Sequence, residues 1–576
     1  MSQDTARTES PARGLFLGRI DETFYPYPHQ DPEERETTEM AVQAFREWAA
    51  DNLDPEAIDR DQEIPESVRS GLAELGILGT IIPEEYGGYG FGMTSYCRMV
   101  EEVTRLDGSL AVFIGAHLSI GTKPLLNYGN EDQKRKYLPG IAEGNPICSF
   151  ALTEPEAGSD AGSLKTKATW DPEGNCFRLN GNKIWITNGG YAGLFTVFAR
   201  AEGVPEQLGG RDGITAFLVE RGAPGFTNGP SEHKLGIRGT STVELAFDGT
   251  PVPVENVLGT PGEGLKIALH TLETGRLSLG AGGAGASKEL VRMAIEHARE
   301  RKQFRRPIAD FGMIREKLGR MASWAYAVDA AVYLTSGLHD KAGINLSVET
   351  GYCKVFGSEA LWQVVNDAIQ VVGGIGYMAE YPYQRYLRDS RINLIFEGAN
   401  EVMRLAETLV ALREPGTLVT RAVKAEKEGL GRAAIEEILG YERRVDRAGL
   451  PSWVADPLRE DGEKLAAAIG AFADKVEEIV RKHRRAILRE QYTIRRLADG
   501  AIQLFGATAS LSRASTRVAE VGPERAAREI LLAKRFIDEA CRRVRYEIDS
   551  IEQPQDRWDD EITELLKEEG RYPVGW

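Results

Sequence analysis

Arg388-Asp-Ser-Arg-Ile-Asn-Leu-Ile-Phe-Glu-Gly-Ala-Asn-Glu-Val-Met-Arg404 is the stretch whose reading decides the fold. Ile392 to Phe396 is an apolar run that reads as an extended segment, and it ends in a single acid, Glu397. Gly398 follows, and Val402, Leu405, Ala406 and Leu409 then recur at helical spacing. Glu397 is therefore expected where an extended segment turns into a helix. The free N–H groups and positive end of a helix favour a carboxylate there. Flanking apolar residues would desolvate it and raise its pKa. A carboxylate held between those two pulls is a candidate general base. The same residue also reads as an ordinary first-turn helix acid, and the local pattern alone leaves both readings open.

The rest of the chain narrows the classes of function. With 576 residues, about three or four domains are expected. Lysines and arginines number 70 against 87 acids, a net charge of −17, which argues against nucleic acid or an anionic membrane as a main partner. Five scattered cysteines without a CxxC pair fit a reducing compartment and no structural zinc. Seven histidines show neither HxxxH nor HExxH, so no metal centre is expected. No apolar run reads as long enough to span a bilayer, and no targeting signal is visible near the start. A cytoplasmic location is expected, with membrane contact weak or peripheral at most.

Residues 1–32 read as an irregular arm, and 33–146 as a helical domain with helices at about 94–107 and 109–127. His117, within the second of these, reads as a core histidine rather than a ligand. Residues 147–260 read as a β domain. Phe177 to Thr187 alternates around Asn180-Gly181, which reads as a hairpin turn. Residues 261–414 return to long helices, a bundle carrying the acid, and 415–576 read as a further helical domain richer in charge.

Gly280-Ala-Gly-Gly-Ala-Gly285 matches GxGxxG, but the residues before it have a helical pattern, so close helix packing is the better reading than a nucleotide loop. Ala151-Leu-Thr-Glu-Pro-Glu-Ala-Gly-Ser-Asp-Ala-Gly-Ser163 joins a strand to a loop of hydroxyls and amides suited to a polar ring or a phosphate. Trp185 and Thr187 are two residues apart, which places an indole and a hydroxyl on one strand face. Gln370-Val-Val-Gly-Gly-Ile-Gly-Tyr377 ends a helix in glycines. Arg301, Gln303 and Arg305 form a polar knot past another helix, where arginine suits a pyrophosphate.

Together these residues resemble the flavin-dependent acyl-CoA dehydrogenases. Ala151–Ser163 carries the likeness, as does the run Gln370, Gly373, Gly374, Gly376, Tyr377, Glu380, Arg385 and Asp389. The ends extend it to the very-long-chain branch: Gly14-Leu-Phe-Leu-Gly-Arg19, Leu497-Ala-Asp-Gly-Ala501 and Leu511-Ser-Arg-Ala-Ser515. The resemblance implies a mainly α fold with a central β domain. Its parts are an N-terminal helical domain, a middle β-barrel-like domain, a C-terminal four-helix bundle and an extra C-terminal helical domain.

The resemblance also implies that Glu397 is the catalytic base. Some members carry the base on an earlier helix, at the position matched here by Gly275. Phe150, Leu152, Thr153, Ser159, Trp185, Ile186 and Thr187 would hold the flavin ring of FAD. Arg301, Gln303, Gln370, Gly373 and Gly374 would hold FAD across a homodimer interface, and Asn400 and Glu401 would meet its pyrophosphate. Ser159, Arg276 and Phe396 would meet substrate. Ala399 departs from the family's usual threonine and loses a hydroxyl contact. The implied reaction converts a fatty acyl-CoA, of long chain, to a trans-2-enoyl-CoA, with electrons passed to an electron-transfer flavoprotein. An oxidase using oxygen and a scaffold of the complex I assembly type are the alternatives. About 430–460, Ile435, Ile438, Leu439 and Val445 make an apolar stripe. It reads either as an interfacial helix or as a face packed on the enzyme itself.

Overall fold

The computed structural model describes residues 10–574, so residues 1–9 of the expected arm lie outside the described residues. The fold is mainly helical with one central sheet, and the chain forms two compact units. The larger comprises Pro28–Gly343 and Cys353–Asn400; among the described residues the smaller comprises 10–27, Ile344–Tyr352 and 401–574.

In the larger unit the sheet comprises β1 (Cys148–Ala151), β2 (Lys167–Asp171), β3 (Cys176–Thr187), β4 (Leu194–Glu202), β5 (Gly213–Glu220), β6 (Phe226–Asn228), β7 (Thr242–Pro253) and β8 (Val257–Leu258). The order is β6-β7-β3-β2-β4-β5-β8, with β1 parallel to β4. β4 and β5 are apolar along most of their length and lie buried. Leu194, Phe198, Ala216 and Leu218 on the sheet share one core with Tyr137, Leu138 and Ile141 of the Glu131–Ala142 helix and with Ile267 of the Gly264–Glu300 helix. Burying such side chains contributes about 1.5–3 kcal/mol each.

The expected hairpin at Asn180-Gly181 is corrected. Both residues lie inside the continuous strand β3, where the pairing with β7 shifts between Leu179 and Gly181. Gly181 has φ +145, and a Cβ there would meet the Thr166 backbone at 2.8 Å, so the glycine serves a bulge rather than a turn. The turn lies one strand end earlier, at Asp171-Pro-Glu-Gly174, where the Asp171 carboxylate accepts from Glu173 N and Gly174 N at 3.2 Å.

Gly264–Glu300, Gly312–Asp340, Ser347–Val372 and Met93–Leu106 are the long helices that frame the site. Gly280 to Gly285 lies within the first of them, as the packing reading expected. A Cβ on Gly283 would sit 2.7 Å from Gly357 O, so the glycines let helix backbones approach. Gly108–Tyr128 is one helical run, interrupted at Ala116–Thr122 by a π-turn. This run is long and apolar enough by composition to cross a membrane, contrary to expectation, but most of it is buried within the fold.

Two further expectations are corrected nearby. Ile392–Phe396 is not a strand: a helix over Tyr383–Arg391 passes into a 3₁₀ turn over Ile392–Leu394. The next helix begins at Asn400, so Glu397 precedes it rather than occupying its first turn.

In the smaller unit, residues 10–27 are not an irregular arm. Pro11–Leu15 is a helix whose Ala12 N–H donates to Glu349 Oε1 at 2.7 Å. Phe16 meets Phe472 edge-on at 5.2 Å, and Tyr25 stacks on Trp453 at 5.1 Å. The stripe about 430–460 is not one helix. It breaks into Arg432–Leu439, a 3₁₀ turn and Val445–Ala448, with Leu439 and Val445 buried, so it packs within this unit.

Candidate active site

A pocket of about 820 Å³, part of it open solvent, lies in the larger unit with Glu397 and Phe396 on its wall. Gly108, Ala111, Gly115 and Ala116 line one side and Gly282 and Ala286 another. Side chains this small leave a channel between helices that would otherwise close. The π-turn contributes Ser119 and Ile120 to the lining. It is held by His117, whose Nε2 contacts Leu78 O at 3.1 Å while Nδ1 accepts from Cys148 N at 3.0 Å. Burial pushes this imidazole down to about 4, so it is neutral and serves as an internal strut, as the core reading expected.

Glu397 has φ +57, the left-handed region that a non-glycine residue enters only when its surroundings hold it there. The holding groups are visible. Arg276 Nε donates to the Glu397 carbonyl at 3.3 Å. Lys354 Nζ, fully buried, donates to Gly398 O at 2.8 Å and to Asn400 Oδ1 at 2.7 Å. Asn400 Nδ2 donates to Ser358 Oγ at 3.0 Å and Glu359 Oε1 at 3.1 Å. The turn is thus clamped on both sides of the acid.

Glu397 as a residue is half-buried, but its Oε2 is sealed from solvent and accepts no hydrogen bond from any described residue. Desolvation pushes the carboxyl up to about 7, against the opposing charges of Arg276 and Lys354. A carboxyl with its pKa raised in this way, on a residue of the pocket wall, can take a proton from a bound molecule near neutral pH.

The expected site residues fall into groups. Glu397, Phe396 and Thr187 line the pocket, and Arg276 lies behind Glu397 with its Nε already used. The second group is the loop after β1. Phe150 packs on Phe198 at 4.9 Å, Leu152 is buried, Thr153 is half-buried and Ser159 is exposed. Beside them on β3, Trp185 is 65% exposed at φ +56 while Ile186 is buried at 2%. Ile186 therefore offers a ligand only its backbone. Trp185 and half-buried Thr187 flank the buried Ile186, beside the shift in pairing between Lys183 and Ile186.

Arg301, Gln303, Gln370, Gly373 and Gly374 form a third group. All are exposed, none lines the pocket, and a Cβ on either glycine would meet nothing within 4 Å. Asn400 is corrected: it is 2% exposed with both ends of its amide engaged inside the protein, so its side chain supports the Glu397 turn instead of meeting a pyrophosphate. Glu401 is exposed and belongs to the smaller unit.

Sequence reasoning missed Lys354 and Ile237. Ile237 lines the pocket at φ +45 with its N–H on Asp389 Oδ1 at 2.5 Å. Gly236 and Gly239 flank it, each backed closely by another segment, and that pair of glycines was a readable signal of close approach.

An FAD fits these residues. An exposed indole, the Thr187 hydroxyl and a Thr153 N–H that donates to no described residue make a surface for a flat polar ring. Arg301 beside a hairpin and two open glycines offer phosphate-binding chemistry.

Comparison with known proteins follows this geometry. The family models described as acyl-CoA dehydrogenase N-terminal, middle and C-terminal domains match residues 35–145, 149–250 and 262–408. A model described as ACAD9/ACADV, C-terminal domain, matches 456–568. The very long-chain specific acyl-CoA dehydrogenase of Homo sapiens is 38% identical over 98% of this chain and 87% of its own length. A probable acyl-CoA dehydrogenase of Bacillus subtilis is 35% identical over 92% of this chain and 88% of its own. A crystal structure of acyl-CoA dehydrogenase complexed with FAD from Bacillus anthracis superposes with TM-score 0.80 at 31% identity, over 98% of this chain and 96% of that one.

Proposed function

The chain belongs to the acyl-CoA dehydrogenase family, and from that premise we propose that it oxidises long-chain fatty acyl-CoA thioesters and passes the electrons to an electron-transfer flavoprotein. It is an FAD-dependent oxidoreductase. The observation that carries the reading is the buried Glu397 carboxyl with its free Oε2 on the wall of a pocket lined by small residues.

The chemistry follows from the chain's own groups. An α-proton of a thioester is weakly acidic, so a base must meet it in a dry site as negative charge develops on the carbonyl oxygen. The Glu397 carboxylate takes that proton. The Glu397 N–H, which donates to no described residue, is a donor for the carbonyl oxygen. Arg276 and Lys354 hold the turn, so the carboxylate need not reorganise during the reaction. The 150–159 loop, Trp185 and Thr187 would hold FAD, which when bound would supply the acceptor for the β-hydride, so that the substrate leaves as a trans-2-enoyl-CoA.

Long chains are favoured by the pocket's small-residue walls. The exposed Arg301, Gln303, Gln370, Gly373 and Gly374 suit an FAD shared with a second copy, so the enzyme is a homodimer in this reading. Five cysteines, all free, suit the reducing cytoplasm as its location. Rapid mixing with butyryl-, octanoyl- and palmitoyl-CoA, with and without an electron-transfer flavoprotein, tests the proposal. Bleaching fastest with palmitoyl-CoA and turnover only with the flavoprotein is expected. Fast reoxidation by oxygen alone, or a preference for butyryl-CoA, would sink it.

A further inference from the structure

The most deeply buried charge beside the expected flavin surface is one that the mechanism leaves unused. Lys183 on β3 is 0% exposed, and its Nζ donates to Glu154 Oε1 at 2.7 Å and to the Leu152 carbonyl at 3.1 Å. Glu154 is itself buried, and its carboxylate also accepts from Lys165 N at 2.5 Å and Thr166 N at 3.0 Å. One carboxylate thus ties the start of the 154–166 loop to its end, and one ammonium ties that carboxylate to the preceding peptide. Ile184 N donates to Thr153 O at 3.0 Å and completes the attachment to β3.

Burying a lysine this completely is costly unless its donors are used. Its burial comes from the strand bulge. The pairing of β3 with β7 shifts between Lys183 and Ile186, so Lys183 and Ile184 are both buried and Trp185 at φ +56 turns outward. The irregularity that exposes the indole also sends the ammonium beneath the loop.

The direction of the bond to Leu152 matters. The Leu152–Thr153 peptide is trans, so its carbonyl and its N–H point to opposite sides. With the carbonyl drawn towards Lys183, the Thr153 N–H is aimed away from it. That N–H donates to no described residue.

We propose that Lys183, paired with Glu154, is a positioning residue for the flavin: by gripping the Leu152 carbonyl it aims the Thr153 N–H at a ring acceptor of the FAD. The inference rests on the FAD-dependent reading above. Lys183 does not touch the ring; it acts through the peptide. Opposite charge in the pair lets it do so without a net charge under the cofactor, and burial pulls the ammonium down to about 8 with Glu154 opposing that shift.

The test uses holoenzyme of three forms: wild type, Lys183→Met/Glu154→Gln, and Glu154→Gln alone. The double variant removes the grip without stranding a buried carboxylate. Glu154→Gln keeps an oxygen for Lys183 and leaves the Leu152 bond in place. FAD dissociation constant, visible flavin band and midpoint potential are read for each, with the melting temperature as a control. In the double variant, FAD binding weakened about tenfold, the scale of one lost oriented hydrogen bond, with a shifted band and potential is expected. Glu154→Gln should keep the wild-type band and potential. A double variant with a lowered melting temperature but unchanged affinity, band and potential would reduce the pair to a structural tie and overturn the proposal. So would Glu154→Gln losing the band and affinity of wild type, and this arm decides the matter if the double variant does not fold. Wild-type protein that takes up no FAD would instead overturn the cofactor reading itself, a failure visible without any variant.

Discussion

A Cβ built on Gly275 would lie 2.9 Å from Oε2 of Glu397. No real side chain could share that space with the carboxylate as it stands. The two residues therefore exclude one another: the earlier helix is bare where it faces the acid, and the acid occupies the room this leaves. Next to it, Arg276 uses its Nε on the Glu397 carbonyl, so one helix turn both makes space for the base and holds its backbone.

Gly275→Ala is expected to displace the carboxylate and lower kcat by about ten- to a hundredfold, since small misplacements of a catalytic group are costly. The melting temperature should change little, because only the end of the Glu397 side chain and, slightly, the Ile120 methyl 3.2 Å from that Cβ have to move. Steady-state kinetics beside thermal melting checks both. Unchanged turnover would mean that Glu397 adapts freely.

Glu397→Gln is expected to keep FAD and bind saturated acyl-CoA but to reduce the flavin at least about a hundredfold more slowly, because the amide cannot accept the proton. Stopped-flow mixing reads this directly. Reduction at the wild-type rate would remove Glu397 from the mechanism.

The base works when ionised, and burial pushes its carboxyl up to about 7. The pH profile of kcat/KM should therefore rise through neutrality and level off above it. Stability has the opposite sign. A carboxyl whose folded pKa is raised favours the fold below its unfolded pKa of about 4.5, and that contribution is lost as pH rises through about 7. Glu397→Gln should then melt higher than wild type at pH about 8, by a gap that narrows towards pH about 6. A gap that widens on acidification would contradict the raised pKa.

Lys354→Met removes both Nζ bonds that clamp Gly398 and Asn400. Leaving those buried acceptors unsatisfied should cost about 2–4 kcal/mol of stability. The reaction should slow even at temperatures where the variant stays folded, because the Glu397 turn loses a support. Full activity in a folded variant would show that Arg276 alone suffices.

Leu439 and Val445 are buried within the smaller unit and Ile435 and Ile438 are half-buried, so the stripe about 430–460 offers lipid only part of its apolar surface. In flotation with anionic liposomes the protein is expected to stay with the soluble fraction. Binding that persists in high salt would mean the segment leaves its packing.

The sequence alone identified the acid, the loop after β1, the helical–β–helical order and the false nucleotide motif. Each rests on residue types at short spacing: Glu397 after an apolar run, hydroxyls and glycines from Ala151 to Ser163, and glycines inside a helical period. The tertiary structure decided the rest. Ile392–Phe396 looked extended but curls into a 3₁₀ turn, because a helix already packed in the core feeds directly into it. Asn180-Gly181 looked like a hairpin turn but serves a bulge, because β3 continues its pairing with β7 on both sides. The environment of Glu397 could not be read locally either. Its free oxygen, its raised pKa and its left-handed backbone come from Gly275, Arg276 and Lys354, groups brought beside it only by helix packing. Short-range patterns specify which segments are helix, strand or loop; which polar groups end up dry, clamped or unpaired depends on contacts between residues far apart in the chain.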